Sequence, residues 1–149
     1  MATEGGPMAP AGPGPATYTL AAGEGRTRVQ VTGLRCGPDL VLVITGGTHP
    51  HVGAVSLASP RPSLRDPARR SATASVLTVL GHKEDELARW AALEAARVTG
   101  GHVAVAAGIH VDHATPEEID TLVATARDLV RQWLERWGTE GEGTGPGAY

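Results

Sequence analysis

Between Thr27 and Arg35 (TRVQVTGLR) apolar and polar residues alternate with period two, with Val29, Val31 and Leu34 as the candidate inward positions of a strand. Cys36-Gly37-Pro38-Asp39 reads as a turn, and Leu40 to Thr45 (LVLVIT) is a continuous apolar run of the kind a central strand carries. A short edge strand is expected before them at Tyr18–Ala22, and a further strand after them at Val52–Ala58 (VGAVSLA). Ser59 to Arg70 holds three Pro and four Arg and is expected to be a loop. Ala72 to Leu80 (ATASVLTVL) alternates again and predicts another strand.

The period then changes. From about Glu84 to Val98 the chain is rich in Ala, Leu, Glu and Arg and stops at Gly100-Gly101, the pattern of a helix with a glycine stop. His102 to Ile109 (HVAVAAGI) is a short apolar strand. Thr115-Pro116-Glu117-Glu118 announces a second helix: Thr as N-cap, Pro at the first helical position, and Glu118 placed to close a capping box. Ile119, Leu122, Val123, Ala126, Leu129, Val130, Trp133, Leu134 and Trp137 then form one stripe at helical spacing.

Strand 72–80, helix 84–98 and strand 102–109 make a βαβ unit in the C-terminal half, whose two strands should run parallel with a right-handed crossover. The expected fold is α/β, a two-layer sandwich in which a mixed β-sheet carries two helices on one face. Such a sheet leaves its other face in need of cover, which predicts a homodimer or larger homo-oligomer. Residues 1–16 carry Gly and Pro at nearly every other position, and residues 138–149 are equally Gly-rich, so both ends are expected to be disordered arms around one domain at 17–137.

Composition narrows the function. The 149 residues are 41% hydrophobic with no Phe and only 3% aromatics, and the net charge is -3. Few stacking platforms and a mildly acidic balance argue against a nucleic-acid module. No apolar run reaches the ~18 residues of a membrane span, and the amino terminus lacks a secretory pattern. Cys36 is alone, which excludes an intrachain disulfide and fits a cytoplasmic protein.

Ligands of parallel strands bind beyond the strands' carboxyl ends. Both strands of the βαβ unit lead there into titratable residues: Gly81-His82-Lys83-Glu84-Asp85 and Gly108-Ile109-His110-Val111-Asp112-His113. The segment Gly46 to Gly53 (GGTHPHVG) reaches the same edge or the opposite one, depending on its strand's direction. Five of the six His lie in these three segments; His102 starts a strand and belongs at the far end. Lys83 is the only lysine, and it stands with His82 at a helix start, where a cation is the wrong charge unless an anion is bound. An ordinary pairing with Glu84 or Glu86 is the alternative. His49 and His51 are two apart, so on extended backbone they face one side, and with His110 or Asp112 they could ligate a divalent metal. Loop histidines bonded to backbone read equally well. Gly46-Gly47 has the look of a hairpin turn, and the Arg61, Arg65, Arg69 and Arg70 loop that of a solvated loop or a docking surface. No phosphate-loop, G-x-S-x-G or Cys-x-x-Cys pattern is present.

Taken in order, GTHPHVGAVSLA, SVLTVLGHKEDELAR and VAVAAGIHVDHATPEEI resemble the prenylated-flavin chaperone family, the small D-type accessory subunits associated with UbiD-like phenolic-acid decarboxylases. The resemblance spans roughly Val41 to Leu122. It implies a non-enzymatic carrier that binds prenylated FMN and assists its delivery to, or maturation in, a UbiD-type decarboxylase. The contacts it implies are His49, His51 and Gly53, then Ser75, His82, Lys83 and Asp85, then His110 and Asp112. The chain departs from the family at His113, where Asn is more frequent. A small metal-dependent hydrolase or lyase built on His49, His51, His110 and Asp112 is the alternative of another class, and a structural subunit that docks another protein through its polar edge is a third.

Overall fold

The computed structural model describes residues 17–79 and 84–140. The expected arms at 1–16 and 141–149 lie outside the described residues, as do Leu80, Gly81, His82 and Lys83.

Six strands form one mixed sheet: β1 (Thr17–Ala22), β2 (Val29–Cys36), β3 (Asp39–Gly47), β4 (Ala54–Pro62), β5 (Arg70–Thr78) and β6 (Val103–His110). Helix α1 spans Asp85–Thr99 and α2 spans Pro116–Glu140, three residues past the expected end of the folded span at 137. The spatial order is β1-β2-β3-β6-β4-β5. β6 therefore slots between β3, which it pairs in parallel, and β4, which it pairs antiparallel. β5 and β6 point the same way, as the βαβ pattern requires, but α1 carries the chain past β4 to reach β6.

Register explains which residues are buried. Val29 and Val31 of β2, Leu40, Leu42 and Ile44 of β3, Ala54 and Ala58 of β4, and Val103, Val105 and Ala107 of β6 are all 0–1% exposed and share one face. Both helices cover that face. Leu34 falls on the opposite face, because period two from Val29 puts Gly33, not Leu34, inward. Gly33 is needed there: a Cβ would run into the indole of Trp133. That indole stacks on Tyr18 at 4.4 Å and donates from Nε1 to the Tyr18 carbonyl at 3.2 Å, while the Tyr18 hydroxyl donates to the Trp133 carbonyl at 2.8 Å. Against α1 the fit is small on small. Ala88, Ala91, Ala92, Ala95 and Ala96 lie over Ala54, Ser56 and Ala58, so an Ala-rich core works by close approach rather than by large side chains. Ser56 is fully buried and donates its hydroxyl to the Ser75 carbonyl at 3.1 Å, so its burial carries no unsatisfied donor.

The α2 stripe holds from Leu122 to Leu134, but Ile119, at its start, is 50% exposed. The capping box forms as expected: Thr115 N–H donates to Glu118 Oε1 and Glu118 N–H to Thr115 Oγ1, both at 3.1 Å. Ser59–Arg70 is shorter as a loop than its prolines suggest. β4 runs on to Pro62 and β5 begins at Arg70, leaving 63–69 as the connection. Beyond Ala58 the strand pairs with β5 only, so on its other side no partner needs the N–H that Pro60 and Pro62 lack. Arg70 donates to the Arg97 and Val98 carbonyls, a cation against the carboxyl end of α1.

Among the described residues nothing covers the face away from the helices. Val43, Ala106, Val55 and Leu77 form a row across β3, β6, β4 and β5, with Ala104 and Leu57 in the row beside it. Leu57 is 56% and Leu77 is 77% exposed.

Candidate functional site

The topology settles where the three titratable segments meet. Because β3 is parallel to β6, Gly47 pairs with His110 and the two strands end together. Gly46-Gly47 is thus the last step of a parallel pair and not a hairpin turn. The connection 48–53 then crosses over the end of β6 to enter β4 on its other side. Crossing this closely demands missing side chains. A Cβ on Gly47 would strike the His110 carbonyl, one on Gly108 would strike the His51 carbonyl, and one on Gly53 would strike the Glu84 carboxylate. Gly47 also takes φ 76°, which L side chains rarely adopt. Backbone bonds hold the crossing down: Thr48 N–H donates to the His110 carbonyl at 2.8 Å, Gly53 N–H to Ala107 at 2.9 Å, and Val79 N–H to Gly53 at 2.8 Å.

This brings His49, His51 and His110 into one cluster, with ring centroids of His49 and His51 at 5.6 and 6.3 Å from that of His110. His110 Nε2 lies 2.9 Å from Asp112 Oδ1, and His49 Nδ1 lies 3.6 Å from Asp112 Oδ2. The hydrogen bond from His110, with the charges of His49, His110 and His113, holds the Asp112 carboxyl below its ordinary range. His51 turns the other way: its Nδ1 sits 2.9 Å from the His49 carbonyl, which only accepts, so that nitrogen carries the proton. Its Nε2 stands 3.0 Å from Glu84 Oε1. Glu84 occupies the N-cap position of α1 without capping it, because its carboxylate is spent on His51 and on the space beside Gly53.

Of the expected site residues, the structure thus gathers His49, His51, Gly53, His110 and Asp112, with Asp85 next to Glu84 at the start of α1. Ser75 lies apart: it pairs with Leu57 in mid-strand, three residues short of the end of β5, on the uncovered face. His82 and Lys83 lie outside the described residues. His102 is at the opposite edge, as expected, with Nδ1 3.0 Å from Ser59 Oγ. The Arg65, Arg69 and Arg70 depression is at that far edge too, beside Arg97. Trp90 of α1 faces Arg127 and Arg131 of α2.

Two residues of the site carry no signal in the sequence. Arg26, in a 3-10 turn at Gly25–Thr27, donates to the Asp112 carbonyl at 2.6 Å and pairs with Glu118 at 2.8 Å, tying the loop to the start of α2. The Thr115 N–H, and after it Arg26, hold the Glu118 carboxyl below its ordinary range. Glu84 reads from sequence only as a partner for Lys83. His113 takes φ 52°, in the left-handed region that Asn accommodates easily, so the expected departure from Asn falls where backbone conformation favours Asn.

Three comparisons bear on this site. The profile of the prenylated flavin chaperone LpdD-like domain matches residues 23–138. Protein LpdD of Lactiplantibacillus plantarum is 31% identical over 112 residues, 71% of this chain and 76% of that protein. A chain from the crystal structure of a chaperone complex for yeast 20S proteasome assembly superposes with a TM-score of 0.52 over 85% of this chain and 97% of that one; at 16% identity this is a likeness of fold.

Proposed function

The chain belongs to the prenylated flavin chaperone family of LpdD-like domains, and we propose from that membership that it binds prenylated FMN and passes it to a UbiD-type decarboxylase. On this reading it works in the cytoplasm as a carrier and performs no chemistry of its own. Among the described residues no helix is long and apolar enough to cross a membrane.

The observation that carries the reading is the convergence of the three family-like segments at one sheet edge, around His49, His51 and His110. The residues fit a flavin phosphate in part. Three imidazoles, the N–H groups at the start of α1 and a glycine-lined crossing supply donors and room. Asp112, Glu84 and Asp85 add negative charge next to a dianion, which calls for a balancing cation; Lys83 stands in the right stretch of sequence for one. His49, His51, His110 and Lys83 are assigned to the phosphate end, while Gly53, bare of a side chain, makes room for the Glu84 carboxylate beside them. Prenylated FMN, when bound, supplies the decarboxylase with its reactive ring; the carrier's residues only bind, orient and release it.

The same reading takes the uncovered sheet face as the contact with a second copy. Six strands about 4.8 Å apart and eight residues at about 3.3 Å give roughly 750 Å², close to the ~800 Å² per partner of a standard interface. Its central rows of Val, Ala and Leu carry no charge, so two copies meet face to face without like-charge repulsion.

The test is an anaerobic titration of the purified chain with reduced prenylated FMN, with FMN as control. Tighter binding of the prenylated form, weakened by Lys83→Ala and His110→Ala in folded protein, is the expected result. Failure to bind either flavin overturns the proposal. Release of inorganic phosphate during the titration would replace it with a hydrolase reading of the same cluster.

A further inference from the structure

We propose that His49, His110 and Asp112 bind one divalent transition-metal ion. Their three ligand atoms lie within 4.8 Å of one another. Ligands about 2.1 Å from a common ion stand roughly 3.0–3.4 Å apart in octahedral cis or tetrahedral arrangements. His110 Nε2 stands 2.9 Å from Asp112 Oδ1 while Oδ2 faces the His49 ring, so the carboxylate lies between the two imidazoles and small side-chain rotations bring one atom of each to that spacing. Two imidazoles and a carboxylate select a transition metal over Mg²⁺ or Ca²⁺, which prefer oxygen alone.

Three features make this a built site rather than a chance meeting of surface side chains. The ligands come from residues separated in the chain by about sixty positions, yet each is fixed by backbone bonds. His110 ends β6 opposite Gly47, the His49 N–H donates to the His110 carbonyl at 3.3 Å, and Arg26 clamps the Asp112 carbonyl. Thr48 spends its hydroxyl proton on the His110 carbonyl at 3.2 Å, so its Oγ1, 2.9 Å from His49 Nδ1, accepts from that nitrogen and steadies the ring, which leaves His49 its other nitrogen, Nε2, for an ion. Finally, the three side chains are 48–63% exposed on their outer side, which leaves coordination positions open to a ligand from solvent.

An extension, resting on the carrier reading, is that the open positions take oxygens of a phosphate monoester. The ion then neutralises a dianion that would otherwise sit against the Asp112, Glu84 and Asp85 carboxylates, and removing the ion frees the cargo.

The experiment uses the full chain, stripped with chelator and titrated with Co²⁺, read by visible absorption and by metal analysis. One Co²⁺ per chain is expected, displaced by Zn²⁺. Binding should weaken by about tenfold or more in His49→Ala, His110→Ala and Asp112→Asn, with circular dichroism confirming the fold, and stay unchanged in His102→Ala at the far edge. No saturable Co²⁺ signal, or wild-type affinity in the three folded variants, overturns the site. Phenyl phosphate added to the Co²⁺ form tests the extension: shifted bands support it. Unshifted bands in a chain that still binds prenylated FMN overturn phosphate ligation and leave the carrier reading standing. Shifted bands in a chain that binds no flavin support the metal site and overturn the carrier.

Discussion

Gly108→Ala adds one methyl group at the point where the 48–53 crossing lies on β6. The new Cβ meets the His51 carbonyl and, 3.2 Å away, the Gly53 nitrogen, both backbone atoms that have no rotamer to escape into. The crossing has to lift. Overpacking of this kind costs about 1–3 kcal/mol. The Gly53-to-Ala107 bond at 2.9 Å goes with it, and the Thr48-to-His110 bond at 2.8 Å is strained; each is a net contribution of about 1 kcal/mol. The expected loss is therefore about 2–5 kcal/mol, a large part of the ~5–15 kcal/mol of a typical domain. Gly37→Ala is the control. Gly37 has φ 60° but nothing within 4 Å of its would-be Cβ, so it costs only the left-handed backbone penalty of about 1–2 kcal/mol. Urea unfolding by circular dichroism measures both, and the flavin and Co²⁺ titrations report on the site. Gly108→Ala should lose more stability than Gly37→Ala and also lose ligand affinity, while Gly37→Ala binds as wild type. A Gly108→Ala protein with wild-type stability and binding would refute the close crossing.

Two further outcomes follow from the geometry. The Glu118 carboxyl is held below its ordinary value near 4.5 in the folded chain, so its contribution is present above that value and lost as pH falls through the lowered one. The stability gap between wild type and Glu118→Ala, from denaturation at a series of pH values, should therefore be full at neutral pH and close in acid. Leu57→Glu puts a charge into the middle of the uncovered face without touching the core. Sedimentation should show a smaller species than wild type at the same concentration, with an unchanged far-ultraviolet spectrum; equal masses would remove that face as the contact between copies.

Local features of the fold were readable from the chain because local chemistry decides them. Thr115 and Glu118 cap α2 as their spacing says, Gly100 ends α1 in the left-handed region, and Val29 and Val31 point inward. What could not be read depends on contacts far apart in sequence. Whether Gly46-Gly47 turned back or ran beside another strand hung on β6, some sixty residues later, taking the place next to β3. Pro60 and Pro62 look like loop residues until it is known that their edge of β4 has no partner on one side. The site behaved the same way. Histidines marked its three segments, but Arg26 and Glu84 are ordinary charges until the fold lays them against Asp112 and His51.

The slot that β6 fills has a consequence for how the molecule comes into being. As the chain leaves the ribosome, β1-β2-β3 and β4-β5 can each form by hairpin pairing alone. Besides the outer edges β1 and β5, which stay edges in the finished sheet, each then has an inner edge, along β3 and along β4, that cannot be closed until residues 103–110 arrive between them. Open edges of this kind invite pairing with other chains, and joining them is a long-range step that slows folding. The histidine cluster exists only once that strand is seated, so ligand binding reports on a finished sheet. A chain assembled in this order cannot present the cluster to any ligand while the sheet is half made.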